Sequence, residues 1–366
     1  MTHPRTNPPR RHRRMAILLA LAATLPGCPP GEDDRTTDTT NPDDNTPSSP
    51  MALHDVRYWA YQIQGLEEDG AVDALVNSRY DLLVLEPTRT EQGSADFDTR
   101  GMVSRLRASP SSRPGAGKLV IAYIDIAEAE DWRDYWQPDW VAPTPSRAGT
   151  PDFLVRPDPD GWAGDYPVAY WDQRWKNIII FAGDSMLQQV LDDGFDGIYM
   201  DWVEAYSDEQ VATAAAAASV DPVAAMVDFI REIRTHARQQ DPAFLIIPQN
   251  ASELAALNAD YLGLIDAIGQ EQVYFDGNPD TIWSDANSGD VRMPAAGDGY
   301  STQFYEETLQ PYLAAGKVVL TVDYAQQPAS VAEAYQRAAA NGYVEYVTLR
   351  ALSQLSATPP PGYPGE

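Results

Sequence analysis

Eight short apolar runs recur along this 366-residue chain, separated by stretches in which apolar residues return every three or four positions. That alternation constrains the fold more than any other feature. The runs are Val56 to Ile63, Asp81 to Glu86, Leu119 to Asp125, Gly197 to Asp201, Phe244 to Asn250, Ile265 to Glu271, Val318 to Asp323 and Tyr343 to Leu349. Short apolar runs bounded by polar or turn residues read as buried strands. Trp175, Ile178, Ile179, Met186, Val190 and Leu191, or Val223, Met226, Val227, Ile230 and Ile233, have instead the spacing of a helix face. Strand and helix alternating eight times predict an α/β fold, a single (β/α)8 TIM barrel. It is expected over residues 51–355, preceded by a signal peptide and a disordered linker. Only Ala351 to Ser356 could begin an eighth helix, so the closing helix is expected to be short or absent, ahead of a Pro-rich tail over 356–366.

In a parallel barrel the C-terminal strand ends are where side chains leave the core and meet substrate. Run two ends at Glu86, three at Asp125, four at Asp201, six at Glu271 and seven at Asp323, while five ends in Gln249-Asn250. Acids are 54 of 366 residues, so chance supplies roughly two of eight such ends and five is an excess. The long connection from Ile126 to Tyr170 lies on the same face and carries Trp132, Tyr135, Trp136, Trp140, Trp162 and Tyr166. Flat aromatics beside carboxylates suit sugars, although packing of the loop onto the barrel is the expected use of most of them.

The N-terminus speaks to compartment. Arg5, Arg10, Arg11, Arg13 and Arg14 precede an apolar run from Met15 to Leu25, followed by Pro26-Gly27-Cys28. This is the layout of a secretory signal over residues 1–28, too short to span a membrane. The lone cysteine after a small residue resembles the lipobox of bacterial lipoproteins, which makes Cys28 the expected lipidation site. Residues 29–50 contain no apolar run and read as a flexible tether. The expected location is extracytoplasmic, anchored by lipid at the periplasmic or cell surface, or secreted. The formal net charge is −28, and loss of five arginines with the signal makes the remainder still more acidic. Such a surface repels nucleic acid and anionic headgroups. No nucleic-acid partner is expected, membrane contact is expected only through the anchor, and the chain is expected to be a monomer.

The residue inventory narrows the chemistry. Beyond the signal only His54 and His236 remain, which disfavours a histidine zinc site or a Ser-His-Asp triad. No GxSxG elbow occurs, and Gly115-Ala116-Gly117-Lys118 lacks the remaining parts of a phosphate loop. Carboxylate chemistry is left: glycoside hydrolysis by an Asp/Glu pair, or an acid-lined magnesium or calcium site. The aromatic rim favours the first, with no metal and no cofactor. Phe195-Asp196-Gly197-Ile198 with Asp201-Trp202 looks like the signature of family 18 chitinases. There, however, the acid Glu would stand where this chain has Val203, and Glu204, one step off, is expected to face the other way.

A second resemblance covers about Arg57 to Leu349. It is carried by Trp59-Ala60-Tyr61-Gln62, the segment Ala122 to Arg133, Gly194 to Asp201, Gln249-Asn250-Ala251, and Gly269-Gln270-Glu271-Gln272. The chain resembles glycoside hydrolase family 114, the endo-α-1,4-polygalactosaminidase-like barrels of extracellular proteins. The resemblance implies Asp201 and Glu271 as the catalytic pair and an α-1,4-linked, cationic galactosamine polymer as substrate. Glu271 would be general acid and Asp201 nucleophile or base, with exchanged roles open. Tyr61, Tyr123, Asp125, Trp202, Asn250 and Asp323 are expected to bind substrate. Glu128, Asp131 and Arg133 are expected to form an ion-pair network in the long loop. A surface carbohydrate-binding lipoprotein without turnover, or a glycosidase for another sugar, is the alternative.

Overall fold

The computed structural model describes residues 51–159, 161–278, 288–297 and 299–364. The expected signal peptide with Cys28 and the expected linker lie outside the described residues.

All eight expected strands form. They are β1 (Trp59–Gln62), β2 (Leu82–Leu85), β3 (Leu119–Asp125), β4 (Gly197–Asp201), β5 (Leu245–Pro248), β6 (Ala267–Glu271), β7 (Val318–Tyr324) and β8 (Val344–Thr348). β1 to β5 pair in sequence order in one parallel sheet, and β6, β7 and β8 in a second. A parallel bridge between Gln249 and Gly269 joins β5 to β6. At the remaining seam the Trp59 indole donates to the Val344 carbonyl at 2.9 Å, and Ile63 N donates to the Leu352 carbonyl at 3.0 Å. The strands therefore follow one another around a (β/α)8 barrel. Strands such as Leu82-Leu83-Val84-Leu85 are buried throughout, because lumen and helix layer cover both faces of a parallel sheet.

Local signals set the approach to the most informative strand. Ser185 caps helix Met186–Asp193 by accepting from Gln188 N, and Gly194, at φ 82°, ends it in a left-handed turn into β4. At the opposite face of the barrel, acids hold backbone rather than substrate. Asp81 accepts from the amides of Arg57, Tyr58 and Ser112, Asp196 from that of Val120, and Asp266 from that of Ile246, all at 2.8–3.1 Å.

Among the described residues no helix follows β8, and the segment expected as a tail takes its place. Ser356 N donates to the Tyr346 hydroxyl, Tyr335 donates to the Thr358 carbonyl, and Tyr58 donates to the Gly362 carbonyl. The Tyr363 ring lies 5.4 Å from that of Tyr58 and 4.8 Å from that of Tyr80. Residues 356–364, within the segment expected as a Pro-rich tail, thus pack on the barrel.

The long loop is ordered around a short antiparallel pair, Glu128–Glu130 with Asp165–Pro167. The side chain of Arg133 is fully buried and pairs with Glu86 and Glu130, and it also donates to Thr90. The loop's ion-pair network is therefore Glu86–Arg133–Glu130, not the expected Glu128, Asp131 and Arg133; Asp131 accepts from the Tyr166 hydroxyl instead. Most of the loop aromatics pack on one another: Trp136 on Trp140 at 5.1 Å, Trp140 on Phe153 at 5.4 Å, and Tyr135 on Trp175 at 5.7 Å.

Candidate active site

The barrel floor is aromatic. Tyr61 and Tyr199 stand 5.3 Å apart between ring centroids, and Trp59 stacks beneath Tyr61 at 6.2 Å. Gly269 on β6 leaves the space that the Tyr199 hydroxyl fills, since a Cβ there would lie 2.2 Å from it. Above this layer, β4 and β6 end in Asp201 and Glu271, both partly buried.

The chain turns sharply just past these ends. Trp202, Asn250, Ala251 and Gln272 all have φ between 50° and 59°, a left-handed conformation that costs a non-glycine residue of order 1 kcal/mol. Each sits one to three positions beyond a strand end, so the turns stop the strands while their last side chains face the opening. The turn at Trp202 has a further effect. It starts the short helical turn Val203–Ser207 and swings Glu204 back over the barrel mouth. The expectation that Glu204 faces the other way is corrected, because strand alternation ends with the strand at Asp201.

Asp201 Oδ2 accepts from the Tyr123 hydroxyl at 2.5 Å, and Oδ1 from the Trp202 amide at 2.7 Å. Burial raises its pKa, and these two hydrogen bonds work against the rise by favouring the ionised form. Glu271 Oε1 accepts from the Tyr324 hydroxyl at 2.8 Å. Burial pushes its carboxyl up to about 7; Arg350 opposes this and the charge of Asp201 adds to it. Glu204 is pushed up to about 8, first by burial and then by Asp201. Asn250 connects these groups. Its Oδ1 accepts from the Glu271 amide at 3.1 Å and from Gln270 Nε2 at 3.0 Å, and its Nδ2 donates to Glu204 Oε1 at 3.4 Å.

Among the expected substrate contacts, Tyr123 holds Asp201 and Asn250 holds the backbone of Glu271, while Trp202 is partly buried at the rim. Asp125 stands opposite Asp201 in the β3–β4 register. Its Oδ1 accepts from the amides of Ala127 and Glu128 at 3.0 and 2.8 Å, which fixes the start of the long loop. Tyr61 is 1% exposed. It supports the acids from below and does not line a groove, which corrects its expected role.

Asp323 is also corrected. β7 runs one residue further than expected, to Tyr324, so Tyr324 reaches the mouth and the preceding side chain faces the helices. Asp323 is fully buried there and accepts from the amides of Tyr274 and Phe275 at 2.7 and 2.6 Å.

Three residues at the mouth were not foreseen as functional: Glu204, Tyr324 and Arg350. Arg350 lies just beyond β8, bonds Asp276 Oδ1 at 2.9 Å, and carries its guanidinium 5.9 Å from the Tyr324 ring and 6.0 Å from that of Trp162. Only the overrun of β7 would have revealed Tyr324, and a polar residue after the eighth run is a weak signal for Arg350. Among the described residues, no group of three or more His, Cys, Asp or Glu is arranged to hold a metal ion.

Comparison with known proteins agrees with this fold. A protein of Deinococcus radiodurans is 33% identical over 320 residues, covering 86% of this chain and 87% of its own. One from Methanocaldococcus jannaschii is 28% identical over 319 residues, covering 81% of this chain and 78% of its own. The fold is similar to the glycoside hydrolase domain of PelA from Pseudomonas aeruginosa, with a TM-score of 0.52 at 15% identity over 82% of this chain and 97% of that one. It is likewise similar to Ega3 of Aspergillus fumigatus, solved in complex with galactosamine, with a TM-score of 0.50 at 14% identity over 87% and 97% of the two chains. The model of glycoside-hydrolase family GH114 matches residues 40–360, and the chain belongs to that family.

Proposed function

We propose that the protein hydrolyses an α-1,4-linked galactosamine-containing polysaccharide with Asp201 and Glu271 as its catalytic pair. The observation that carries this reading is the different environment of two acids at one barrel mouth. Glu271 has a carboxyl pushed up to about 7 and can carry a proton at neutral pH. Asp201 is held by a hydroxyl and an amide that favour its charged form. Burial raises the Asp201 pKa as well, against those two donors; paired carboxyls in unlike environments perform acid and base chemistry in one site.

In this reading Glu271 protonates the glycosidic oxygen as the bond breaks, and the Tyr324 hydroxyl steadies the carboxylate left behind. Asp201 either attacks the anomeric carbon, forming an ester that water then hydrolyses, or takes a proton from the water that attacks it; in both routes an oxygen of water replaces the departing glycosidic oxygen. Arg350 keeps Glu271 from binding its proton too tightly. An amino-sugar polymer is favoured by the acidic surface, which attracts cations, and by family membership; Ega3, a structural neighbour, was solved with galactosamine. Location outside the cytoplasm on a lipidated Cys28 belongs to the same proposal and rests on the N-terminal sequence pattern.

The test is to incubate the full chain with partly deacetylated α-1,4-galactosaminogalactan and detect new reducing ends by mass spectrometry. Wild type should release oligomers, while Asp201→Asn and Glu271→Gln should each lose a factor of about 10² to 10⁴. Cleavage that survives both substitutions would refute the assignment.

A further inference from the structure

Glu204 has a feature that its position alone does not explain. Asn250 occupies Oε1, but Oε2 is buried and has no hydrogen-bond partner among the described residues. A buried carboxyl oxygen left unsatisfied costs about 1–3 kcal/mol, so its retention at the mouth of a binding face points to a partner that arrives with the ligand.

The surroundings indicate which form of the carboxyl is present. Asp201 comes from β4 and Glu271 from β6, and the hydroxyls of Tyr199, Tyr206 and Tyr305 also face Glu204. These groups bring acids and phenols to Glu204, while its own amide and Asn250 favour the charged form. Asp201 and Glu271 already share the space, and negative charge on either opposes a further charge on Glu204. The Asn250 amide donates to Oε1, which makes Oε1 the acceptor oxygen and leaves Oε2 to carry the proton.

We propose that Glu204 is a specificity-determining residue of the site: a protonated carboxyl whose Oε2–H donates a hydrogen bond to an oxygen of the sugar bound beside Asp201 and Glu271. The inference rests on the proposed glycan hydrolysis. It gives Glu204 no part in bond cleavage; no proton leaves Glu204 during turnover. A glycan offers hydroxyl and ring oxygens as acceptors, and a neutral donor recognises them without binding an ammonium ion. The link through Asn250 to the Glu271 amide couples occupancy of this contact to the position of the general acid.

The experiment compares Glu204→Gln and Glu204→Ala with wild type, using the full chain and α-1,4-linked galactosamine oligosaccharides. Glutamine keeps both the shape and a donor, so kcat/KM should remain within about threefold. Alanine removes one neutral hydrogen bond and should lower kcat/KM roughly three- to tenfold, mostly through KM. The ratio of wild type to Glu204→Gln against pH isolates this group, because the substrate amines and Glu271 titrate in both proteins. That ratio should fall above pH about 8, where Glu204 loses its proton.

If Glu204→Gln loses as much as Glu204→Ala, with thermal melting unchanged, the group acts as a carboxylate and the proposal is wrong. Unchanged kcat/KM in Glu204→Ala would also overturn it. If wild type neither binds nor cleaves the oligosaccharides, the hydrolase reading fails and this inference with it. Cleavage by wild type with no effect of Glu204 leaves the hydrolase reading standing alone.

Discussion

Replacing Asp323 by Asn should stabilise the protein at neutral and alkaline pH and leave its stability in acid unchanged. Asp323 on β7 and Glu345 on β8 are buried between the strands and the helix layer, 0% and 5% exposed. Asp323 Oδ2 and Glu345 Oε1 have no hydrogen-bond partner among the described residues. Burial pushes the Asp323 carboxyl from 3.8 up to about 7; the Phe275 and Tyr274 amides and Arg337 oppose the shift, and Asp276 adds to it. Glu345 is raised well above the usual range by burial and by Asp323, against a hydrogen bond from Thr321.

A carboxyl whose pKa is higher in the folded state favours folding fully only below its unfolded value. That contribution is lost as pH climbs from about 3.8 towards 7. At 1.36 kcal/mol per unit, a rise of about 3 units is worth about 4 kcal/mol. An asparagine stays neutral, and its Oδ1 can accept the same two amides. A barrel of about 300 residues has a melting entropy of about 0.6 kcal/mol/K, so 4 kcal/mol corresponds to about 6 °C in Tm. Thermal melts of both proteins from pH 4 to pH 9 would test this. The curves should meet near pH 4 and separate until about pH 7, with Asp323→Asn higher. Equal destabilisation of the variant at every pH would refute the reasoning and make Asp323 a net stabilising backbone anchor.

Three further outcomes are expected. Tyr324→Phe removes a donor that favours ionised Glu271, so the alkaline limb of kcat/KM should move up by about one pH unit, the equivalent of about 1.5 kcal/mol; an unmoved limb would separate Glu271 from that limb. Arg133→Met leaves Glu86 and Glu130 buried without their cation, and urea unfolding should record a loss of about 3–5 kcal/mol. Gly269→Ala would place a methyl 2.2 Å from the Tyr199 hydroxyl, which should cost about 1–3 kcal/mol in stability and lower kcat by shifting the floor beneath the two acids; a variant with wild-type melting and turnover would mean that the floor yields freely.

The eight strands and the acids that end β4 and β6 were legible because each is a local property. A strand buried on both faces needs a continuous apolar run, and a polar residue at its C-terminal end marks where the run leaves the core. The brevity of the eighth helix was legible too, from the absence of an apolar period after Leu349. The neighbours of each acid were not, because they depend on how chain segments far apart in sequence meet. Glu204 reaches Asp201 through a left-handed turn at Trp202, and no residue type in that segment announces such a turn as a glycine would. β7 overran by one residue, and with a period of two that shift exchanged Asp323 for Tyr324 at the mouth. The expected aromatic rim became largely loop core, since rings bury against one another when a long segment folds back on itself. By itself the sequence determined a parallel barrel and the acids at its mouth, because burial and strand ends are written in local pattern. The tertiary structure alone decided what surrounds each acid, because that depends on a hydroxyl 53 residues from Glu271 and another 78 residues from Asp201.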